Sequence, residues 1–405
     1  MHPSLRILLA SGALVGSLIA SLPMSVSAVT VTTRWVDDDG RVGSTSCNGT
    51  SRTAHRTVQK GVDAANAADV IKVCPGTYVG RVVIKGSRNG LVLRAATSTA
   101  PVIKARDVFG ASTTYLLTID SVMGVTVKGF RIRPLRAASN SYCSVSTGIR
   151  AIDAVNVTIT GNDIRPTGTG AFCGLYDGIT ASNATTGFIR HNVIKDYRNN
   201  GIDVSGGSTD LTLESNSITF AHVGLSTAGD SAILVRGGAT VAVRSNTLTG
   251  PASGPGNPPQ PAAGIQLDGS NGESVIRGNT IARFASGIRV THANGGTIRD
   301  NTLSGGQVGM NLLDADYVQV YGNVSTGATL HALYVAGGSS GAPDSSRTTG
   351  ASVHDNDFRS SANGANPDCQ GDSSPASYVV TQNAFADNVD TTSSPTEMCA
   401  GSGPA

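Results

Sequence analysis

Three observations predict an all-β fold, a right-handed parallel β-helix that stacks one short three-strand coil many times behind an N-terminal capping helix. An Asn flanked by aliphatic residues recurs along most of the chain. A small-aliphatic pair, most often Gly-Ile, runs in step with it. The composition agrees: among 405 residues there are 50 Gly, with only 14% charged residues and 4% aromatics. Such a chain suits short strands joined by tight turns, not long helices. Length alone would suggest two or three domains, but a repeat overrides that expectation.

The chain begins with His2 and Arg6, then an apolar run from Ile7 to Ala20, then the small residues Ser25-Val26-Ser27-Ala28. Residues 1–28 read as a signal peptide cleaved after Ala28. The run is too short and too diluted by Gly and Ser for a good membrane span. A secreted protein is therefore expected, extracellular or periplasmic and monomeric. Net charge is +2, and removing residues 1–28 takes away one Arg and no acid, leaving 29 − 28 = +1. So small a charge speaks against nucleic acid or an anionic membrane as partner.

Residues 29–90 read as the N-terminal cap and first coils. Val58, Val62 and Ala65 fall on one face of a short helix within Arg56–Ala68, followed by the strand-like Val70-Ile71-Lys72-Val73. A solenoid must cover its open apolar end or recruit other chains, and this helix is suited to the task.

Residues 91–390 carry the repeats. The Asn members are Asn162, Asn192, Asn216, Asn246, Asn279, Asn301, Asn323, Asn356 and Asn383, between 22 and 33 residues apart. Three residues before each stands an aliphatic, from Ile159 to Val380. Two residues after each stands another apolar side chain, from Ile164 to Phe385, except at Ser325. An earlier copy, Val127–Ile132, puts Phe130 where Asn would be. The second pattern comprises Gly148-Ile149, Gly178-Ile179, Gly201-Ile202, Ala232-Ile233, Gly264-Ile265, Gly287-Ile288 and Gly309-Met310, each 14 or 15 residues before its Asn. That interval is rigid, so the variable length falls in the turn before the next Gly-Ile pair. Strands this short cannot bury their apolar faces alone; stacking them about 4.8 Å apart builds one continuous core. A turn Asn can tolerate left-handed backbone and hydrogen-bond to the Asn of the next coil. The tail, residues 391–405, is a loose end.

Six cysteines in an exported chain are expected to pair. Cys143 and Cys173 each lie five residues before a Gly-Ile pair, in consecutive coils, and should join. Cys369 and Cys399 are 30 apart, again about one coil, and Cys47 and Cys74 remain at the N-terminal end.

Three stretches carry a family resemblance: Trp35-Val36-Asp37-Asp38-Asp39-Gly40, Thr57–Ala65, and Val73-Cys74-Pro75-Gly76-Thr77-Tyr78. With the later repeats they resemble the pectin-lyase-like right-handed β-helix superfamily over roughly residues 30–390. The resemblance implies the fold. It implies function only loosely, because members include lyases, glycosidases, epimerases, esterases and non-catalytic surface proteins. The motif set of the polygalacturonases, the Asp-Pro-His-Asp of the alginate epimerases and the Trp-Ile-Asp-His type of the pectate lyases are all missing, so no subfamily is assigned.

In β-helices of this resemblance the substrate lies along the strand after the variable turn, here the Gly-Ile strand. With Ile inward, the next residue points outward, giving the column Arg150, Thr180, Asp203, Leu234, Gln266, Arg289, Asn311 and Tyr334. Two residues later a second column reads Ser182, Ser205, Arg236, Asp268 and Thr291. Acids and arginines in such columns suit an oligosaccharide groove. Candidate catalytic residues are Asp177, Lys195, Tyr197, Arg198, Asp203, Asp230 and Arg289; candidate substrate-binding residues are Arg236, Gln266, Asp268, His292, Asn311 and Tyr334. β-Elimination needs a base beside a uronate carboxylate and a cation to neutralise it, roles open to Lys195, Tyr197, Arg198 or His292 with Arg236 and Arg289. Hydrolysis would use paired carboxylates from Asp177, Asp203, Asp230 and Asp268. A polysaccharide-active enzyme, with elimination slightly ahead of hydrolysis or epimerisation, competes with a non-catalytic surface or carbohydrate-binding solenoid. A weaker third reading is a periplasmic partner of metal-enzyme maturation, which the lack of a Cys/His/Met-rich loop opposes. Calcium at Asp37-Asp38-Asp39 has no ligand-loop spacing behind it, and a solvated turn accounts for the triplet. His191 and His354, just ahead of ladder Asn residues, read as turn positions, and no zinc-ligand spacing is present.

Overall fold

The aliphatic three residues before each Asn lies in a short strand whose neighbours on both sides are the same position of adjacent coils. In a computed structural model, residues 30–105, 114–134, 146–166, 175–183, 185–220, 230–251, 263–269, 271–338, 348–358, 369–373, 384–386, 388 and 393–394 are described. Within them Ile159 pairs with Ile189, Ile189 with Leu213, Leu213 with Val243, and the series continues through Ile276, Ile298, Val320 and Val353. The Gly-Ile strands stack likewise: Ile149, Ile179, Ile202, Ile233, Ile265, Ile288, Met310 and Leu333. The residues two after each Asn build a third face, a ten-stranded parallel sheet running through Ile132, Ile164, Ile194, Ile218, Leu248, Ile281, Leu303 and Ser325.

Three parallel faces per coil make a right-handed parallel β-helix. The first two faces are joined into one 24-stranded sheet. They are continuous where strand Ser286–Arg299 serves both. The inward aliphatics of all three are buried in one core from Val36 to Cys369. The Gly of each Gly-Ile pair sits where that core is narrowest. A Cβ on Gly201 would lie 2.5 Å from both the Ala232 carbonyl and the Ile218 Cγ2. Ser325, the exception in the motif, keeps its place in register opposite Leu303 and is buried.

The Asn ladder is a hydrogen-bonded interior column. The Oδ1 of Asn216 accepts from both the backbone N–H and the Nδ2 of Asn192, each at 3.1 Å, while Asn192 Nδ2 also donates to the Ile159 carbonyl at 2.9 Å. The pattern repeats to Asn356, and every rung is buried. Phe130 enters it through its backbone, donating to Asn162 Oδ1 at 3.0 Å. Two expectations are corrected. The left-handed residue is not the Asn but the one before it, as at Gly161, His191, Ser215, Ser245 and Asp355. In the last coil the rung is Asn388, not Asn383: Asn356 donates to Asn388 Oδ1 from its N–H and from Nδ2, and Phe385 pairs with Val353. The five-residue slip arises because Phe385 fills the inward site three before the rung; Asn383 lies outside the described residues. His354 is likewise not the turn residue, a place taken by Asp355; it ends the strand Ser352–His354.

At the N-terminal end the helix Val58–Asp63 is capped by the Thr57 hydroxyl, which accepts from Lys60 N–H, and it buries Val58, Gly61 and Val62 on the first coil. Asp69 is fully buried beside it. Burial works to raise its pKa, but hydrogen bonds from the N–H groups of Asn66 and Thr32 and from Arg34 prevail and hold it below the usual carboxylate range. A disulfide joins Cys47 to Cys74. Cys369 is disulfide-bonded. Its expected partner Cys399, together with Cys143, Cys173 and residues 1–28, lies outside the described residues. Among the described residues no helix is long and apolar enough to cross a membrane.

Candidate active site

The strands that follow the variable turns carry the outward columns where the repeat places them. Arg150, Thr180, Asp203, Leu234, Gln266, Arg289, Asn311 and Tyr334 are register partners coil by coil. The column two residues later brings Arg236 opposite Asp268 and Asp268 opposite Thr291.

The densest polar cluster centres on Asp177 and Asp203. Asp203 is nearly buried, and Arg236 of the next coil grips it with both ends of its guanidinium, Nε to Oδ1 at 3.1 Å and Nη2 to Oδ2 at 2.8 Å. Asp177 lies in the neighbouring strand Leu175–Ser182 and is 4% exposed. Its Oδ1 accepts from the Asn200 N–H at 3.0 Å and from Asn199 Nδ2 at 2.9 Å. Burial, reinforced by the negative charge of Asp203, outweighs those bonds and raises the Asp177 carboxyl to about 7. Two carboxyl groups in one cluster are thus held differently, one near half-protonation at neutral pH and one paired with a guanidinium. A pair of this kind can divide acid and charge-stabilising roles.

The other candidates are dispersed. Lys195 ends strand Val193–Lys195 of the ten-stranded sheet, opposite Thr219, on a different face from Asp203. Tyr197 turns inward after the left-handed Asp196 and is fully buried, edge-on to Phe220 with ring centroids 5.0 Å apart. Its hydroxyl pKa is raised well above normal by burial and by nearby Asp230. It is a core residue and is not brought to the groove. Asp230 is buried as well, and Arg198 is half-buried one residue before Asn199. Arg289 shares the face of Asp203 but stands three rungs away, about 14 Å at the usual strand spacing.

Around Arg289 lies a second polar group. Gln266 Oε1 accepts from the Ser231 hydroxyl at 3.2 Å. Asp268 Oδ1 accepts from the Thr291 hydroxyl at 3.2 Å and lies 3.4 Å from Nδ1 of the exposed His292. Arg289 Nε and Asn311 Oδ1, on paired rungs, are buried atoms without a hydrogen-bond partner. Tyr334 is half-buried beside the His331 ring. Sequence reasoning overlooked Asn199, Asn200 and the exposed Tyr176. The signal was present: Asn200 occupies the position before its Gly-Ile pair that Asp177 occupies one coil earlier.

Among the described residues, one group of three potential metal-ligating side chains occurs, Asp37, Cys47 and Cys74. Its sulfurs are spent in the disulfide, so it offers no metal site. The Asp37-Asp38-Asp39 triplet forms a turn, with Asp37 Oδ1 accepting from Asp39 N–H and Asp39 Oδ1 from Arg41 N–H.

The family described as the right handed beta helix region matches residues 79–254 and 220–391. No curated protein gives a significant sequence match. Among solved structures, an alginate lyase from Paenibacillus sp. str. FPU-7 has a TM-score of 0.50 at 17% identity, covering 66% of this chain and 91% of its own. A Yersinia enterocolitica family 28 exopolygalacturonase has 0.49 at 13% identity, covering 93% and 77%. The A-module of the Azotobacter vinelandii mannuronan C-5 epimerase has 0.48 at 16% identity, covering 83% and 90%. At such identities the likeness shows a shared fold alone.

Proposed function

The chain belongs to the right-handed β-helix family, and from that premise we propose that it is an exported enzyme cleaving a glycan on its first outer face. The observation that carries this reading is the buried Asp177, its carboxyl raised to about 7 beside an Asp203 clamped by Arg236. A carboxyl that keeps its proton near neutrality is suited to protonate the departing glycosidic oxygen. Asp203 supplies the negative charge that holds that proton and stabilises positive charge developing on the sugar carbon, to which water adds as the glycosidic C–O bond breaks. The polar column through Gln266 and Arg289 gives the neighbouring sugars hydrogen-bond partners. The Cys47–Cys74 bridge suits an oxidising compartment and supports export.

This geometry favours hydrolysis over elimination. Of the groups that elimination could draw on, Lys195 lies in another sheet, Tyr197 in the core and Arg198 carries a half-buried guanidinium, a group that stays protonated in proteins, which leaves His292, exposed beside Asp268. The test is the purified protein against a panel of uronic-acid and neutral glycans. Hydrolysis yields new reducing ends without unsaturated products, and its rate declines as pH rises through about 7, where Asp177 loses its proton. Unsaturated products would replace hydrolysis by elimination, and no product from any glycan would sink the enzymatic reading. One observation favours a carbohydrate-binding solenoid instead. Asn200 N–H donates to Asp177 Oδ1, and Ser231 N–H to Asn200 Oδ1, repeating the bonding of the interior Asn ladder. Under that reading Asp177→Asn changes stability and no activity exists to lose.

A further inference from the structure

The second face of the helix carries an outward column unlike the first. Its register partners, coil by coil, are Trp35, Lys72, Arg94, Lys128, Thr160, Arg190, Glu214, Arg244, Arg277, Arg299, Tyr321 and His354. Seven of these twelve positions are Lys or Arg and one is acidic, in a chain with 30 Lys and Arg among 405 residues. Stacked like charges at the strand spacing repel and destabilise a sheet. Nevertheless Lys72, Arg94 and Lys128 occupy three consecutive coils, as do Arg244, Arg277 and Arg299. Of the seven Lys and Arg, only Arg244, paired with Glu214, and Arg299, paired with Asp300, have a carboxylate partner among the described residues. Lys72 lies over the Trp35 ring at 5.0 Å and Arg190 over the Phe188 ring at 5.2 Å.

The ground beside the column is built to leave it open. The parallel column two residues earlier is small and uncharged over most of its length: Thr126, Thr158, Phe188, Thr212, Ala242, Val275, Thr297, Gln319 and Ser352. On the other side, Gly129 and Gly161 take left-handed turns without a side chain. With Arg94, Lys128, Thr97 and Ser98 they line a cavity of about 490 Å³.

We propose that this cationic column is a binding track for a linear polyanionic polysaccharide, with the charge carried on each sugar unit as carboxylate or sulfate. The site is separate from the Asp177–Asp203 cluster and stands whether or not that cluster is catalytic. A straight row of cations at a strand-spaced repeat matches a rod-like chain with one anion per unit. Single-stranded nucleic acid would call for open aromatic platforms between the cations; among the described residues Trp35 is covered by Lys72, Phe188 by Arg190, and Tyr321 and His354 stack on each other at the far end of the column.

The experiment is affinity electrophoresis of the full chain through gels containing polygalacturonate, a sulfated glycan or neutral dextran, with single-stranded DNA as a competitor. The triple variant Arg94→Gln, Lys128→Gln, Arg277→Gln is compared with a control triple, Arg41→Gln, Arg52→Gln, Lys85→Gln. Retardation by a polyanionic gel but not by dextran, weakened on the order of tenfold or more in the track variant and unchanged in the control, is the expected result. Near-ultraviolet circular dichroism of each variant confirms a native fold. Equal loss in both triples would show general charge attraction and overturn the track. So would retention in dextran, or DNA competing more strongly than the free polyuronate. Turnover of a short oligosaccharide should be unchanged in the track variant, whereas failure of the Asp177 reading alone leaves the electrophoretic result intact.

Discussion

The two outward columns of this helix run over the same coils and point in different chemical directions. On the first face the column is mixed: it includes one acid, two arginines, two amides and Leu234, and the acids on this face are held locally, Asp203 by Arg236 and Asp268 of the adjacent column by Thr291 and His292. On the second face five of the seven cations have no carboxylate partner among the described residues, and their charges add. The difference follows from where length can vary. The turn before each Gly-Ile strand changes in length from coil to coil, so side chains there meet new neighbours at every rung and a polar cluster can be assembled at one level. Between the Gly-Ile pair and the Asn the interval is fixed at 14 or 15 residues, so the second face repeats and the same residue type can be laid down rung after rung. One face is suited to a site and the other to a track.

The largest expected effect tests the site. Asp177→Asn should lower glycan turnover by about 10²–10⁴-fold, the usual range for a lost general acid, and leave retention on polyanionic gels unchanged. If both were lost together, the two faces would not be independent. The same substitution has a signature in stability. A carboxyl whose pKa rises from 3.8 unfolded to about 7 folded holds its proton more tightly in the native state. Its presence is neutral below pH 4, and it destabilises increasingly as pH rises from 4 to 7. Denaturant midpoints measured between those values should therefore fall with pH more steeply in the wild type than in Asp177→Asn.

A second test addresses what holds both faces. Asn216→Ala removes the acceptor for the N–H and Nδ2 of Asn192 and the donor to the Ile189 carbonyl. At about 1–3 kcal/mol for each buried group left unpaired, denaturant unfolding should register this as a core-sized loss. A loss no larger than that of an exposed substitution would mean that the ladder is decoration.

How much of this was legible beforehand depended on whether position or contact was at issue. The Asn and Gly-Ile spacings placed every rung from Asn162 to Asn356 and the whole first outer column, because coil register is set by inward aliphatics that sequence displays. The last rung slipped from Asn383 to Asn388 because Asn383 carries both flanking apolar residues of the motif while Asn388 is followed by Asp390, and only the pairing of Phe385 with Val353 shows the true register. Tyr197 and Lys195 misled for a different reason. They end one strand and begin the next, and the single left-handed residue between them, Asp196, decides which side chain enters the core. The cationic column was visible in the sequence two residues ahead of each rung, at Arg190, Arg244, Arg277 and Arg299. A net charge near zero concealed it, since acids elsewhere balance it.

The comparison sharpens further with one arginine from each column. Arg236→Ala leaves Asp203 buried without its cation, at a cost of about 1–3 kcal/mol, kept at the lower end of ion-pair losses because half of the Arg236 side chain is in solvent.

The smallest expected effect has the opposite sign. Arg277 stands between Arg244 and Arg299 with no carboxylate partner among the described residues, so Arg277→Ala removes repulsion along the stack. The gain should be about 0.2–1 kcal/mol at low ionic strength, shrinking as added salt screens the column. Denaturant titrations of the variant at low and at high salt check both the sign and the salt dependence. A site maintained for stability would lose by this change, whereas a track maintained for a polyanionic ligand gains stability and loses binding. If Arg277→Ala proved destabilising at every salt concentration, the second column would be part of the scaffold, and the contrast between the two faces would have to be drawn from shape instead of charge.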